Sequence, residues 1–125
     1  MNLILTPCDS CTIASIQREY LIDANDIHEI DLELKTAAAS CNYKLIVDCR
    51  GLQRVSSAFL GKLCALRKLC IERKGRLALC SCSTEMVDAL KVTGLRILFD
   101  VFDHWPGAVA FMKQDTVVSW REDVK

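Results

Sequence analysis

The feature that most constrains the fold is a β-α-β unit between residues 44 and 80. Residues 45–47 are Leu-Ile-Val, a continuous apolar run typical of a strand buried on both faces of a parallel or mixed sheet. A polar turn follows, and then a long amphipathic helix over residues 57–74, whose core face includes Phe59. Residues 76–80 form the next apolar run. The pattern predicts an α/β fold in which these two strands are parallel neighbours. The connection between them is expected to be right-handed.

The remaining elements are predicted from the same periodicities and from helix-capping residues. We expect strands at 1–6, stopped by Pro7, at 11–17 and at about 98–102, and helices opened by Asp23, by Ser83 or Thr84, and by Asp103 (the last running from about Trp105 to Lys113, with Pro106 early). Gly75 is placed as the left-handed stop of the 57–74 helix. Residues 1–114 are expected to form one domain, followed by a C-terminal tail at 115–125.

The overall composition excludes several classes of protein. A chain of 125 residues and 14.0 kDa is long enough to bury a core without disulfides. The 16 basic and 16 acidic residues cancel, so there is no electrostatic case for binding nucleic acid or an anionic membrane. No apolar run approaches the length of a membrane span, and no basic region precedes the first apolar residues. We therefore expect a cytoplasmic protein.

Eight cysteines are many for such a chain, and buried reduced thiols are the interpretation we favour. Cys8 and Cys11 have the spacing of a redox pair or of half a zinc site. They lie between two predicted strands, however, with no helix start beside them. The other close pair, Cys80 and Cys82, is far along the chain.

No catalytic motif is found. His28 and His104 have no serine or cysteine at a spacing that suggests a nucleophile and its base. There is also no glycine-rich phosphate loop and no metalloprotease signature. The sequence therefore predicts no enzyme, no cofactor and no metal site.

Ser56 and Ser57 are the most informative polar pair. Serine at a helix start commonly caps free backbone N–H groups. A serine there is also a suitable acceptor for a regulatory phosphate, which would meet the positive end of the helix. Both interpretations are open at this point.

The surrounding residues resemble the signature of the STAS domain, the fold of bacterial anti-sigma factor antagonists. Residues 45–48 (Leu-Ile-Val-Asp) match its apolar strand, and residues 56–61 (Ser-Ser-Ala-Phe-Leu-Gly) match its Asp-Ser-Ser-Gly-Leu-Gly motif. Further segments that agree in order and spacing are Ile22-Asp23, Lys74 to Leu77, Thr93 to Leu95, and Leu98-Phe99. The resemblance extends to about Met112.

The resemblance implies a small mixed β-sheet with about four helices packed mainly on one face. It implies a binding protein whose partner is an anti-sigma factor that is also a serine kinase. That kinase would phosphorylate the first serine of the motif, here Ser57, and a serine phosphatase would reset it. The chain departs from the signature at three positions: Ser56 replaces Asp, Ala58 replaces the second Ser, and Phe59 replaces the first Gly.

These implications place the partner-binding surface at five residues: Asp23, Ser56, Ser57, Ala58 and Lys62. One alternative is a scaffold or sensory STAS module that assembles with other STAS proteins, forms oligomers and is not phosphorylated. Another is a thiol-dependent enzyme or redox sensor that uses Cys8 and Cys11.

Overall fold

The computed structural model describes residues 2–8 and 10–113, so the predicted tail at 115–125 lies outside the described residues. The described part contains these strands and helices: β1 (Leu3–Pro7), β2 (Thr12–Ile16), β3 (Tyr20–Leu21), α1 (Ala24–Ser40), β4 (Lys44–Asp48), β5 (Arg54–Val55), α2 (Ser57–Glu72), β6 (Arg76–Cys80), α3 (Thr84–Val92), β7 (Asp100–Phe102) and α4 (Trp105–Met112). A 3-10 turn, Arg96–Leu98, precedes β7.

The main sheet has five strands in the order β1-β2-β4-β6-β7. β1 is antiparallel to β2, and the other neighbours are parallel. The predicted β-α-β unit is confirmed, because β4 and β6 are parallel neighbours joined by α2. β3 and β5 form a separate two-stranded parallel pair that the sequence did not predict.

The sheet is covered on both faces, which explains the apolar run in its central strand. Leu45 and Val47 belong to the larger core with α1, α2 and α3, whereas Ile46 faces the other side and packs with α4. All three side chains are fully buried. Three helices therefore lie on one face and one on the other, as the mixed-sheet STAS architecture implies.

Helix caps were predicted correctly at two of three positions. Asp23 caps α1, since its Oδ2 accepts hydrogen bonds from the N–H groups of Asn25 (3.0 Å) and Asp26 (3.3 Å). Ser83 caps α3. The prediction that Asp103 caps α4 was wrong: His104 occupies the capping position and makes no side-chain cap bond. The predicted start at about Trp105, with Pro106 in the first helical turn, was correct.

Gly75 was predicted to be the left-handed residue that ends α2, and this prediction was wrong. Lys74 takes the left-handed conformation, with φ +64°, after α2 ends. Gly75 is needed instead because the chain passes close to its neighbour: a Cβ there would lie 1.9 Å from the Tyr43 carbonyl oxygen. The backbone N–H of Arg76 then donates to the same carbonyl at 2.8 Å, which starts β6.

Two strand boundaries differ from the prediction. β1 continues through Pro7, because an edge strand tolerates a residue without an N–H donor. The last strand begins only at Asp100, since residues 96–98 form a 3-10 turn.

Candidate partner-binding surface

The β3–β5 pair brings the starts of α1 and α2 together. Leu21 is opposite Val55 in the parallel register, and the Ser56 N–H donates to the Leu21 carbonyl at 3.0 Å. α1 begins three residues after Leu21, and α2 begins two residues after Val55. The N-terminal ends of both helices, each carrying a partial positive charge, therefore lie side by side.

The structure separates the two serines by role. Ser56 is the N-cap of α2, and its hydroxyl accepts a hydrogen bond from the Phe59 N–H at 3.4 Å. Ser57 is the first helical residue and is exposed. Within the described residues, the Ser57 hydroxyl makes no hydrogen bond. Capping thus occupies Ser56 and leaves the Ser57 hydroxyl accessible.

Asp23 lies beside this pair. Its side chain is exposed and caps α1, and it stands two residues after Leu21 as Ser57 stands two residues after Val55. The parallel register therefore places Asp23 and Ser57 at matching positions on neighbouring segments.

Sequence reasoning missed two exposed apolar side chains at this edge. Tyr20 is 48% exposed and Ile22 is 57% exposed. A residue directly before a helix cap commonly packs against the fourth helical residue, here Ile27. Ile27 is buried but Ile22 is not, so Ile22 is left available to a partner. No local sequence pattern tells whether a residue such as Ile22 packs on the helix or stays exposed.

Ala58 and Lys62 extend the surface along α2. Both are exposed, and their spacing of four residues puts them on one face of the helix. The Lys62 Nζ lies 4.0 Å from Oδ2 of the buried Asp31 on α1, which also pairs with Lys35 at 3.0 Å. All five sequence-predicted residues thus lie around two adjacent helix starts, and their contact with a partner stays a prediction.

A polar cavity of about 630 Å³ opens at the carboxyl ends of β2 and β4. Some of its charged and polar groups bond to one another or to neighbours. Asp48 accepts from the Ser15 hydroxyl at 3.2 Å and from the Arg50 N–H at 3.0 Å. Arg18 pairs with Asp26 at 2.6 Å. Ser15, Arg18 and Asp48 in the cavity lining are therefore already held by partners.

The Cys8 and Cys11 pair lies at the β1–β2 connection, with no helix start beside it. The Cys8 N–H donates to the Cys11 carbonyl at 2.8 Å. Burial, helped by the neighbouring Cys8 thiol, raises the pKa of Cys11 to about 11. Such a thiol stays protonated at neutral pH and is a poor nucleophile.

Over the described part of the chain, no three or more histidine, cysteine or acidic side chains come close enough together to hold a metal ion. The helices in the same residues include none with the length and hydropathy needed to cross a bilayer.

Comparison with known proteins decides the family. The sequence model described as "Mlab, STAS domain" matches residues 21–100. The chain belongs to the STAS domain family. That match includes both helix starts, all of β5, and Leu21 of β3. No curated protein sequence matches the chain significantly.

Solved structures agree with the STAS fold. An anti-sigma factor antagonist from Mycobacterium paratuberculosis superposes with TM-score 0.77 at 14% identity, covering 90% of this chain and 93% of that one. The Bacillus cell fate determinant SpoIIAA in its phosphorylated form gives TM-score 0.65 at 16% identity, with coverage of 89% and 99%. A sulfate transporter family protein from Wolinella succinogenes gives TM-score 0.67 at 20% identity, with coverage of 83% and 85%.

Within the STAS signature, the structure explains the replacement of glycine by Phe59. This side chain is fully buried in the main core, on the same face of α2 as Leu63 and Leu66. The bulky residue therefore points away from the surface that carries Ser57 and Ala58. Of the three departures, only those at Ser56 and Ala58 alter exposed or partly exposed positions of the described surface.

Proposed function

We propose that this STAS protein is a cytoplasmic regulatory binding module, not an enzyme, that binds a serine-kinase anti-sigma factor. Phosphorylation of Ser57 by that kinase releases the partner, and a serine phosphatase restores binding. The observation that carries the proposal is the exposed, unbonded Ser57 hydroxyl at the first residue of α2, beside the exposed Asp23.

The surface has the parts that such a contact requires. Tyr20 and Ile22 offer exposed apolar area at the edge of the two helix starts. Asp23 contributes a negative charge, and Lys62 a positive one further along α2. Apolar contact at the centre with charges around it is the usual anatomy of a protein interface.

A phosphate at Ser57 would change binding more than folding. It adds about 1.5 to 2 negative charges, which the N-terminus of α2 tolerates or favours by about 0.3–1 kcal/mol. Counted from the Leu21–Val55 pair, Asp23 is at the matching position of the neighbouring segment, and the added charge would also face any acidic group of the partner. Juxtaposed like charges cost several kcal/mol at an interface. The domain therefore stays folded while the complex weakens.

The test is the affinity for a serine-kinase anti-sigma factor from the same genome, measured by isothermal titration calorimetry. Ser57→Asp should weaken binding at least tenfold, equivalent to about 1.4 kcal/mol. Ser57→Ala should bind like the unchanged protein. Equal affinities of Ser57→Asp and Ser57→Ala would contradict the switch.

Two substitutions of Asp23 separate its helix-capping role from the effect of its charge. Asn caps helices about as well as Asp, so Asp23→Asn should keep the stability and still lose affinity. Asp23→Ala should lose both. If Asp23→Asn binds normally, the charge does not contribute to the contact.

A second candidate is a scaffold or sensory STAS module that assembles with other STAS proteins without phosphorylation. The similarity to the STAS-fold sulfate transporter family protein supports it, as does the edge strand β1, where Ile4 and Leu5 are 50% and 47% exposed. Such edges pair readily with other chains. Light scattering distinguishes the candidates: a concentration-independent oligomer of the purified protein favours the scaffold, and a monomer favours the switch.

A further inference from the structure

Cys49 and Cys82 meet where two parallel strands end. Cys49 directly follows β4, and its N–H donates to the carbonyl of Cys80, the last residue of β6, at 2.9 Å. The chain then turns at Ser81, which has a left-handed φ of +56°. The Cys49 thiol donates to the Val47 carbonyl at 3.8 Å, and Cys82 packs against the core cluster that contains Cys49.

The two thiols differ in access. Cys49 is fully buried in the main core, whereas Cys82 is partly exposed and packs at the edge of that core. Cys82 also directly precedes Ser83, the cap of the nine-residue helix α3. A thiolate there is close to the positive end of a helix, which is one of the settings that make cysteine reactive.

The groups around Cys82 also favour its thiolate form. The neighbouring Cys49 thiol lowers the pKa of the Cys82 thiol, and the positive charge of Arg96 lowers it further, while burial and Asp48 oppose them. The pKa of Cys49 is raised by the neighbouring Cys82 thiol and by burial. A thiol with a lowered pKa thus lies near one that stays protonated.

We propose that Cys49 and Cys82 are a redox modification site, which hydroperoxides convert into an intrachain disulfide. The Cys82 thiolate attacks one oxygen of the hydroperoxide, the O–O bond breaks, and the sulfur is oxidised to a sulfenic acid. The released hydroxide or alkoxide takes up the proton that Cys82 had lost. The Cys49 sulfur then displaces the sulfenic hydroxyl, which leaves as water with the Cys49 proton. Two thiols and one hydroperoxide yield one disulfide, one water and one alcohol or second water.

The other neighbouring pair, Cys8 and Cys11, has no helix start beside it. Cys64, Cys70 and Cys80 do not have the lowered pKa of Cys82. Burial raises the pKa of Cys64, of Cys70 to about 11, and of Cys80 to about 12. Cys64 is partly exposed like Cys82, but burial and Arg67, and not a neighbouring thiol, set its pKa. It therefore serves as the matched control for access without a partner thiol.

The Cys49–Cys82 site lies next to the proposed partner-binding surface but is not part of it. Ser83, the residue after Cys82, donates its hydroxyl to the Gln53 carbonyl at 3.3 Å, just before β5 and the serine pair. The disulfide chemistry does not depend on Ser57, so a failure of either proposal leaves the other intact.

The experiment treats the full 125-residue chain with hydrogen peroxide, blocks free thiols with iodoacetamide, and maps peptides by mass spectrometry without reduction. We expect a Cys49–Cys82 disulfide as the first crosslink formed. In Cys49→Ala, dimedone should trap a sulfenic acid at Cys82 that the unchanged chain does not accumulate. Cys82→Ser should form neither product, and Cys64→Ser should behave like the unchanged chain. Circular dichroism of each variant verifies folding.

Two results would overturn the proposal. One is dimedone or iodoacetamide labelling of Cys82 no faster than that of Cys64. The other is a first crosslink elsewhere, for example between Cys8 and Cys11. If Cys49→Ala fails to fold, Cys49→Ser, which removes the same thiol with little change in size, supplies the trapping result.

Discussion

Replacing Phe59 by glycine, the residue at this position of the STAS signature, should strongly destabilise this chain. Phe59 is fully buried between α2 and the sheet, where it packs with Leu63 and Leu66. Removing a buried Phe side chain costs about 3–5 kcal/mol, and glycine in a helix adds about 1 kcal/mol. The expected loss is about 4–6 kcal/mol, comparable with the whole stability of many domains.

Urea unfolding followed by circular dichroism measures this loss. With a slope of about 2 kcal/mol per molar urea, the midpoint should fall by about 2–3 M. Phe59→Leu, which keeps most of the apolar volume, should lose about 1–2 kcal/mol. Ala58→Gly is the matched control: it places glycine at the adjacent exposed position and should lose no more than about 1 kcal/mol.

The comparison of the two glycine variants is decisive. A Phe59→Gly midpoint close to that of Ala58→Gly would show that Phe59 carries no core packing. The replacement would then have to be explained at the surface, as a change in partner recognition.

Three further predictions concern stability. Gly75→Ala should lower the unfolding free energy by about 2–3 kcal/mol, since its Cβ would displace the Tyr43 backbone. Gly61→Ala, where a Cβ meets nothing within 4 Å, should raise it by up to about 1 kcal/mol. Similar thermal unfolding midpoints for the two variants would refute the close approach of Gly75 to Tyr43. Asp23→Ala should lose about 1 kcal/mol in urea unfolding and Asp23→Asn much less, and equal losses would show that the cap is unimportant. Lys62→Ala should change stability by less than about 1 kcal/mol, because its pair with Asp31 is long and half exposed at the lysine; a larger loss would show that the ion pair supports the fold.

Local patterns in the sequence were enough to predict the parts of the fold that local chemistry decides. The apolar run at 45–47 and the helical stripe through Phe59 both indicated burial, and both are buried. Asp23 and Ser83 were predicted as caps because a short polar side chain before an amphipathic helix has few other roles. These features depend on neighbours within a few residues.

Features that depend on distant contacts were not predicted. β3 and β5 have two residues each, too few for any periodicity, and they exist because residues 20–21 meet residues 54–55. The need for Gly75 arises from Tyr43, which precedes it by 32 residues.

For the candidate site, the sequence predicted which serines matter but not their separate roles. Either member of an adjacent pair can cap a helix; in the structure Ser56 does so, and its N–H donates to the Leu21 carbonyl. The closeness of Cys49 to the end of β6 was also unpredicted, because it depends on the pairing of β4 with β6.

The central claim is that the Ser57 hydroxyl accepts a phosphate from the partner kinase. The most direct measurement is intact mass with fragmentation of this protein co-expressed with a serine-kinase anti-sigma factor from the same genome. The account predicts a single phosphate mapped to Ser57, absent from Ser57→Ala and retained in Ser56→Ala. A complex that forms without any phosphate, or a phosphate mapped to Ser56, would contradict it.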